Sequence, residues 1–168
     1  VAVGAFVGVR QAIDFGKDVV NTGREFEQGM ANVSAISGAT GAELTALSEK
    51  AKEMGAKTKF SAIEASEAMS YMGMAGWNSS QMIDGIAGIM NLAAASGEEL
   101  AGVSDIVTDA LTAFGLNASD SGEFADVLAV AASKSNTNVS LLGESFKNVA
   151  ATAGAMGYSM KDTTTALG

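Results

Sequence analysis

The side chains in this sequence that could do chemistry are carboxylates. They fall into three groups: Glu98 with Glu99, Asp105 with Asp109, and Asp120 with Glu123 and Asp126. Two carboxyl groups held at a defined separation across a groove can act as acid and base in glycoside cleavage. Most of these residues, however, occupy the first turns of predicted helices or predicted exposed faces, where a negative charge already opposes the helix dipole. They also lack the alternating ligand spacing of a calcium loop. With no His and no Cys, the usual zinc ligand sets, cysteine nucleophiles and Ser-His triads are excluded. No Ser precedes a Lys by three positions, and no glycine-rich loop ends in Gly-Lys-Ser/Thr. The residues therefore point away from an enzyme, with no catalytic residue, no cofactor and no metal expected.

The elements that carry these groups are helical throughout. The chain has 168 residues, no Pro and 20 Gly, and only 6% of it is aromatic. Proline-free sequence favours long helices, and a core of Ala, Gly and Met favours close helix approach. No stretch alternates with period two, so no strand is predicted. A net charge of −9 repels phosphate backbones, so direct nucleic-acid binding is not expected. No apolar run reaches the length of a membrane span. Residues 1–9 (VAVGAFVGV) are nonetheless apolar, either as the first turns of a buried helix or as the end of a longer hydrophobic segment. The first residue is not Met, which suggests a fragment.

From Phe6, apolar or small residues recur every three or four positions through Val9, Ile13, Gly16, Val20, Gly23, Phe26, Met30 and Val33 to Ser37, a heptad-like seam with one stammer near Gly23. Arg10, Lys17 and Arg24 lie seven apart on another face. A helix over residues 4–37 would be on the order of 50 Å long. Gly38 and Gly41 break it, and Thr40 with Glu43 forms a capping-box pattern that restarts a helix. Lys50, Lys52, Lys57 and Lys59 form the basic cluster near the end of that second helix.

Residues 58–115 read as three short amphipathic helices. Ser61 with Glu64 opens the first, Asn78 or Ser79 the second, and Ser96 with Glu99 the third, with Gly76, Gly97 and Gly115 as stops. Asp120 with Glu123 then caps a fourth, residues 133–138 (SKSNTN) form a loop, and Ser159 with Asp162 starts the last. An internal echo links Thr58-Lys-Phe-Ser61 and the later Gly76-Trp77 to Thr137-Asn-Val-Ser140 and the later Gly157-Tyr158, at an offset of about 79 residues, suggesting a duplicated helix-turn-helix unit.

The residues singled out for contact are Trp77, alone in a turn, with Met74 and Tyr158. Met69, Met72, Met82 and Met90 lie on predicted core faces. Gly4 and Gly8 have the small-xxx-small spacing of close helix pairs, and with Gly16 and Gly23 they are candidates for helix association.

Three stretches, TKFSAIEASEAMSYMGMAGW, IMNLAAASGEELAGVSDIVTDALTAFG and FADVLAVAASKSNTNVSLLGESFKNVAATAGAMGYS, give the chain a resemblance. Over residues 26–168 it resembles the core region of tail tape measure proteins of long-tailed bacteriophages and related prophages. The order of elements carries the likeness: Thr-x-Phe-Ser before an Ala-rich helix, an Ala-Gly turn, a Leu-Ala-x-Ala-x-Gly stop, an Asp-Val-Leu-Ala helix and a closing Gly-Tyr-Ser. The resemblance implies a virion structural protein that sets tail length within the tail tube and takes part in genome ejection. It implies a place in the tail lumen after synthesis in the host cytoplasm, with parts entering the host envelope on infection. The partners it implies are other copies of itself, tail tube and tail tip proteins, tail assembly chaperones and the host membrane.

The expected fold is therefore all-α. A helical arm over residues 1–57, made of a long amphipathic helix and a shorter one, leads into a compact array of short antiparallel helices over 58–168 that is cut short at its C-terminal end. A membrane-inserting or pore-forming helical protein is the alternative, resting on residues 1–9 and the Met- and Gly-rich helices.

Overall fold

Four glycines set the chain's course. Gly38, Gly76, Gly115 and Gly157 adopt left-handed φ values of 74°, 88°, 65° and 83° in the computed structural model, a conformation that costs glycine little and L side chains much. The structure describes residues 2–168, with side chains from Val20 onward. Each glycine joins two helices, so the chain folds as four helical hairpins. These are α1 (Ala2–Ser37) with α2 (Gly41–Lys57), α3 (Ala62–Met74) with α4 (Ser79–Ser96), α5 (Leu100–Phe114) with α6 (Ser121–Lys134), and α7 (Val139–Ala155) with α8 (Met160–Leu167). A 3-10 turn, Ala118–Asp120, precedes α6. The chain is all-α, and the described residues contain no strand.

The hairpin turns share one sequence pattern. After each glycine comes an apolar residue (Ala39, Trp77, Leu116, Tyr158), then Thr40, Asn78, Asn117 or Ser159, and three residues later Glu43, Gln81, Asp120 or Asp162. In the last three turns the residue after the glycine donates its N–H to the carbonyl five residues back: Trp77 to Met72 (3.0 Å), Leu116 to Leu111 (2.8 Å) and Tyr158 to Ala153 (3.0 Å). This satisfies carbonyls that a helix end otherwise leaves free. The next helix is then fixed from its side: Asn78 N–H donates to Gln81 Oε1 (2.9 Å), Asn117 N–H to Asp120 Oδ2 (2.8 Å) and Ser159 N–H to Asp162 Oδ2 (3.3 Å). The echo seen in the sequence thus links the second hairpin to the fourth. The third has the same turn, with Leu116 where its neighbours carry aromatics.

The hairpins stack in two rows. In one, α1 packs on α3, α3 on α5 and α5 on α7; in the other, α2 packs on α4, α4 on α6 and α6 on α8. Each unit therefore buries its apolar faces chiefly against the next, as in repeat proteins. The core runs through Met69, Met72, Met82, Ile86, Ile89, Val107, Leu111, Phe124, Leu128 and Phe146, all nearly or fully inaccessible. Phe146 meets Phe124 and Phe114 edge to face, at ring-centre distances of 5.6 and 6.1 Å, the geometry aromatic quadrupoles favour. Missing β-carbons allow the close approaches. A β-carbon at Gly88 would fall 2.6 Å from the Gly122 nitrogen, and one at Gly55 would fall 2.5 Å from the Ala62 nitrogen.

Several local expectations need correction. Thr40 makes no side-chain cap; its Glu43 instead accepts from Ser79 Oγ at 3.2 Å, at the start of α4 in the next hairpin. Ser96 lies within α4 and accepts from Glu98 N–H, so the Ser96/Glu99 box does not form, and Glu99 precedes α5 without a side-chain cap. Asp120 bonds backward to Asn117 instead of pairing with Glu123. Helix α6 runs to Lys134, two residues into the predicted 133–138 loop. In the predicted seam, Val33 and Met30 are buried but Val20 is exposed; the seam's earlier side chains, residues 6–16, lie outside those described.

Candidate interaction surface

The carboxylates that could have formed a catalytic pair are dispersed by the hairpin geometry. Asp105 and Asp109 sit on the exposed side of α5, and Glu123 and Asp126 on that of α6. Glu98 is committed elsewhere: it accepts from both the backbone N–H (3.1 Å) and the hydroxyl of Ser140. Ser140 is the second residue of α7, so Glu98, from the α4–α5 loop, satisfies a free helix N–H in a neighbouring hairpin. Among the described residues no three carboxylates are grouped so as to hold a metal ion.

Among the described residues, two carboxyl groups titrate below their ordinary range. Lys57 (2.6 Å) and Lys50 (3.0 Å) hold Glu53 down through hydrogen bonds and charge. Asp162 is held down by the Ser159 hydroxyl and then by its backbone N–H, within the cap of α8. The basic cluster is engaged locally. Beyond the two lysines on Glu53, Lys52 lies 5.3 Å from the centre of the Phe26 ring and Lys59 5.0 Å from that of Phe60, within cation–π range.

The residues singled out for contact separate in the structure. Trp77 is only 7% exposed, packed into space left by Gly85 and close to the 3-10 turn of the next hairpin. Tyr158, its counterpart in the fourth hairpin, is 55% exposed, and Met74 is 61% exposed. Gly23 is exposed, with open space where a β-carbon would stand. Gly4, Gly8 and Gly16 lie outside the residues whose side-chain surroundings are described.

A groove brings Met74 together with residues that sequence reasoning did not single out. It has a volume of about 1010 Å³ and runs along α1, α3 and the start of α5. Gly29 faces Ser66 and Ile36 faces Gly73, so α1 and α3 run parallel and the groove has two distinct ends. One end holds Glu25, Glu64, Glu67, Glu98 and Glu99; toward the other lie Ile36, Tyr71 and Met74. The 3–4 spacing of Glu25, Gln28, Asn32 and Ile36 on α1 was a usable signal for this wall. It was masked by the stronger apolar seam beside it.

No helix among the described residues is long and apolar enough to cross a membrane. In comparisons with known proteins, residues 48–168 match the family model described as phage-related minor tail protein. The chain is also similar to the tape measure protein of Pneumococcus phage Dp-1, with 40% identity over 149 residues. That alignment covers 89% of this chain and 13% of the phage protein, so the chain spans a small part of that relative's length. No solved structure matches it.

Proposed function

The chain belongs to the phage-related minor tail protein family, and from that premise we propose that it serves as a structural segment of a tail tape measure protein. It resides in the virion tail and associates with other tail components. The observation that carries this reading is the 40% identity to a tape measure protein across nearly the whole chain. The stacked hairpins support it: Glu64, Gln81, Asp120 and Asp162 are spent on caps and turns, which suits a protein that assembles.

Within that role, residues 1–57, whose two helices also pack on the second hairpin, serve as the arm that associates with other copies inside the tail tube, and residues 58–168 act near the tail tip or during ejection. The arm contributes to setting tail length. Gly4, Gly8, Gly16 and Gly23 serve helix association in the arm, and Met74 and Tyr158 are contact residues of the compact unit. Tail tube and tip proteins, assembly chaperones and, on infection, the host envelope are the partners. The protein is not an enzyme.

An in-frame deletion of residues 58–168 in a phage encoding this sequence tests the reading. Particles that lack tails, or carry tails yet fail to deliver DNA, are the expected result. Normal plating and normal tails would overturn it.

A further inference from the structure

We propose that the groove along α1, α3 and the start of α5 is a docking site for a cationic amphipathic helix from a protein partner. This goes beyond the tail role and does not depend on it. The groove's walls are helices whose backbone groups are already bonded, so it offers no strand edge and must recognise side chains. Its apolar end presents Ile36 at 40% and Met74 at 61% exposure, large apolar surface left open beside a well-filled core. Scattered exposed apolar residues need no explanation, but apolar surface gathered in a concave site rimmed by polar groups marks an interaction site.

Charge selects the occupant. Five glutamates line the other end, and among the described residues no Lys or Arg lines the groove. The chain's described ion pairs lie elsewhere, at Glu53 and Glu144. Glu64 is partly engaged by the Ser61 cap and Glu98 by Ser140, which leaves Glu25, Glu67 and Glu99 as the carboxylates available to a partner. This sign repels nucleic acid and anionic lipid surfaces. The glutamates are not grouped to hold a metal ion. A helix with one apolar stripe flanked by Lys or Arg matches both ends, and laying such a helix into a groove is an established mode of peptide recognition.

The test is fluorescence anisotropy at low salt with a labelled 18-residue helix of leucines on one face and lysines flanking them; a leucine–glutamate helix is the control. The triple variant E25Q/E67Q/E99Q is expected to weaken binding at least tenfold. The triple D105N/E123Q/D126N, which removes the same charge from other faces, is expected to change it less than threefold. The decisive variant is I36E/M74E. It makes the protein more negative, so general attraction would tighten binding, whereas docking in the groove predicts weakening. If circular dichroism shows that this variant does not fold, I36A/M74A takes its place with the same expected direction. Equal losses for the two triples, unchanged or tighter binding by the apolar variant, or equal binding of the glutamate helix would overturn the proposal.

Discussion

Trp77 occupies space that Gly85 leaves vacant: a β-carbon at position 85 would fall 2.8 Å from Cη2 of the indole. The indole is held between its own hairpin and the 3-10 turn of the next, whose Ala118 carbonyl oxygen lies 3.2 Å from that same β-carbon position. Truncating it removes a large buried side chain from the joint between hairpins. Trp77→Ala is expected to cost about 3–5 kcal/mol, as for other buried aromatics, and Gly85→Ala about 1–3 kcal/mol through overpacking. Tyr158→Ala, at the matching but exposed position, is expected to stay within about 0.5 kcal/mol. Urea unfolding followed by circular dichroism checks all three, and equal effects at Trp77 and Tyr158 would contradict the contrast in burial drawn between the two matching positions.

Helical glycines divide by what surrounds them. Gly102 in α5 has nothing within 4 Å of a β-carbon and is exposed, so Gly102→Ala is expected to stabilise by about 0.5–1 kcal/mol through helix propensity. Gly88 in α4 faces the backbone of residues 121 and 122, which cannot yield as a flexible side chain would. Gly88→Ala is expected to destabilise by about 1–3 kcal/mol. Opposite signs in a thermal melt are the expected outcome.

Glu98 and Ser140 tie the loop between the second and third hairpins to the start of the fourth. Their bond adds to the cap that Asn138 already makes with Leu141 N–H, so Glu98→Ala is expected to cost about 1–2 kcal/mol. A double-mutant cycle with Ser140→Ala should recover the hydroxyl's share of that as a coupling term, since the bond from the backbone N–H survives the substitution. Additive losses would show that the link contributes nothing of its own.

Acid should loosen α8 through its cap. Asp162 has a depressed folded-state pKa because the Ser159 hydroxyl and N–H bond its carboxylate. A group of this kind adds stability that is fully present above its unfolded pKa and is lost as pH falls through the lowered folded value. Glu53 follows the same sign, through Lys57 and Lys50. Amide exchange at Ser159 is therefore expected to accelerate as pH is lowered through this range, after correction for intrinsic rates. Asp162→Asn should remove that dependence at Ser159 and leave the Glu53 region unchanged.

Much of this was legible in the sequence because helix periodicity and caps are local. The buried faces of α4 and α5 follow directly from the spacing of Met82, Ile86, Ile89, Val103, Val107 and Leu111, and the Ser61/Glu64 and Ser159/Asp162 boxes form as their residues suggest. The fourfold turn was harder to see. Its recurring elements are a glycine's backbone angle and, in three of the four turns, a hydrogen-bonding role filled by Gln or Asp, while the apolar position ranges from Ala39 to Trp77. Two aromatic copies stood out and two did not. Partnerships between hairpins, such as Glu98 with Ser140 and Glu43 with Ser79, join residues 42 and 36 positions apart; no local pattern encodes them. The acidic groove was legible only as its α1 wall, in the spacing of Glu25, Gln28, Asn32 and Ile36, since its other walls come from two further helices.

The central claim is that this chain is a structural part of a phage tail. Mass spectrometry of tails purified from a phage encoding this sequence tests it most directly. The account predicts that peptides from residues 48–168 are recovered from the tails in a fixed ratio to the tube protein. Recovery of those peptides only from the lysate, with none in purified tails, would contradict it.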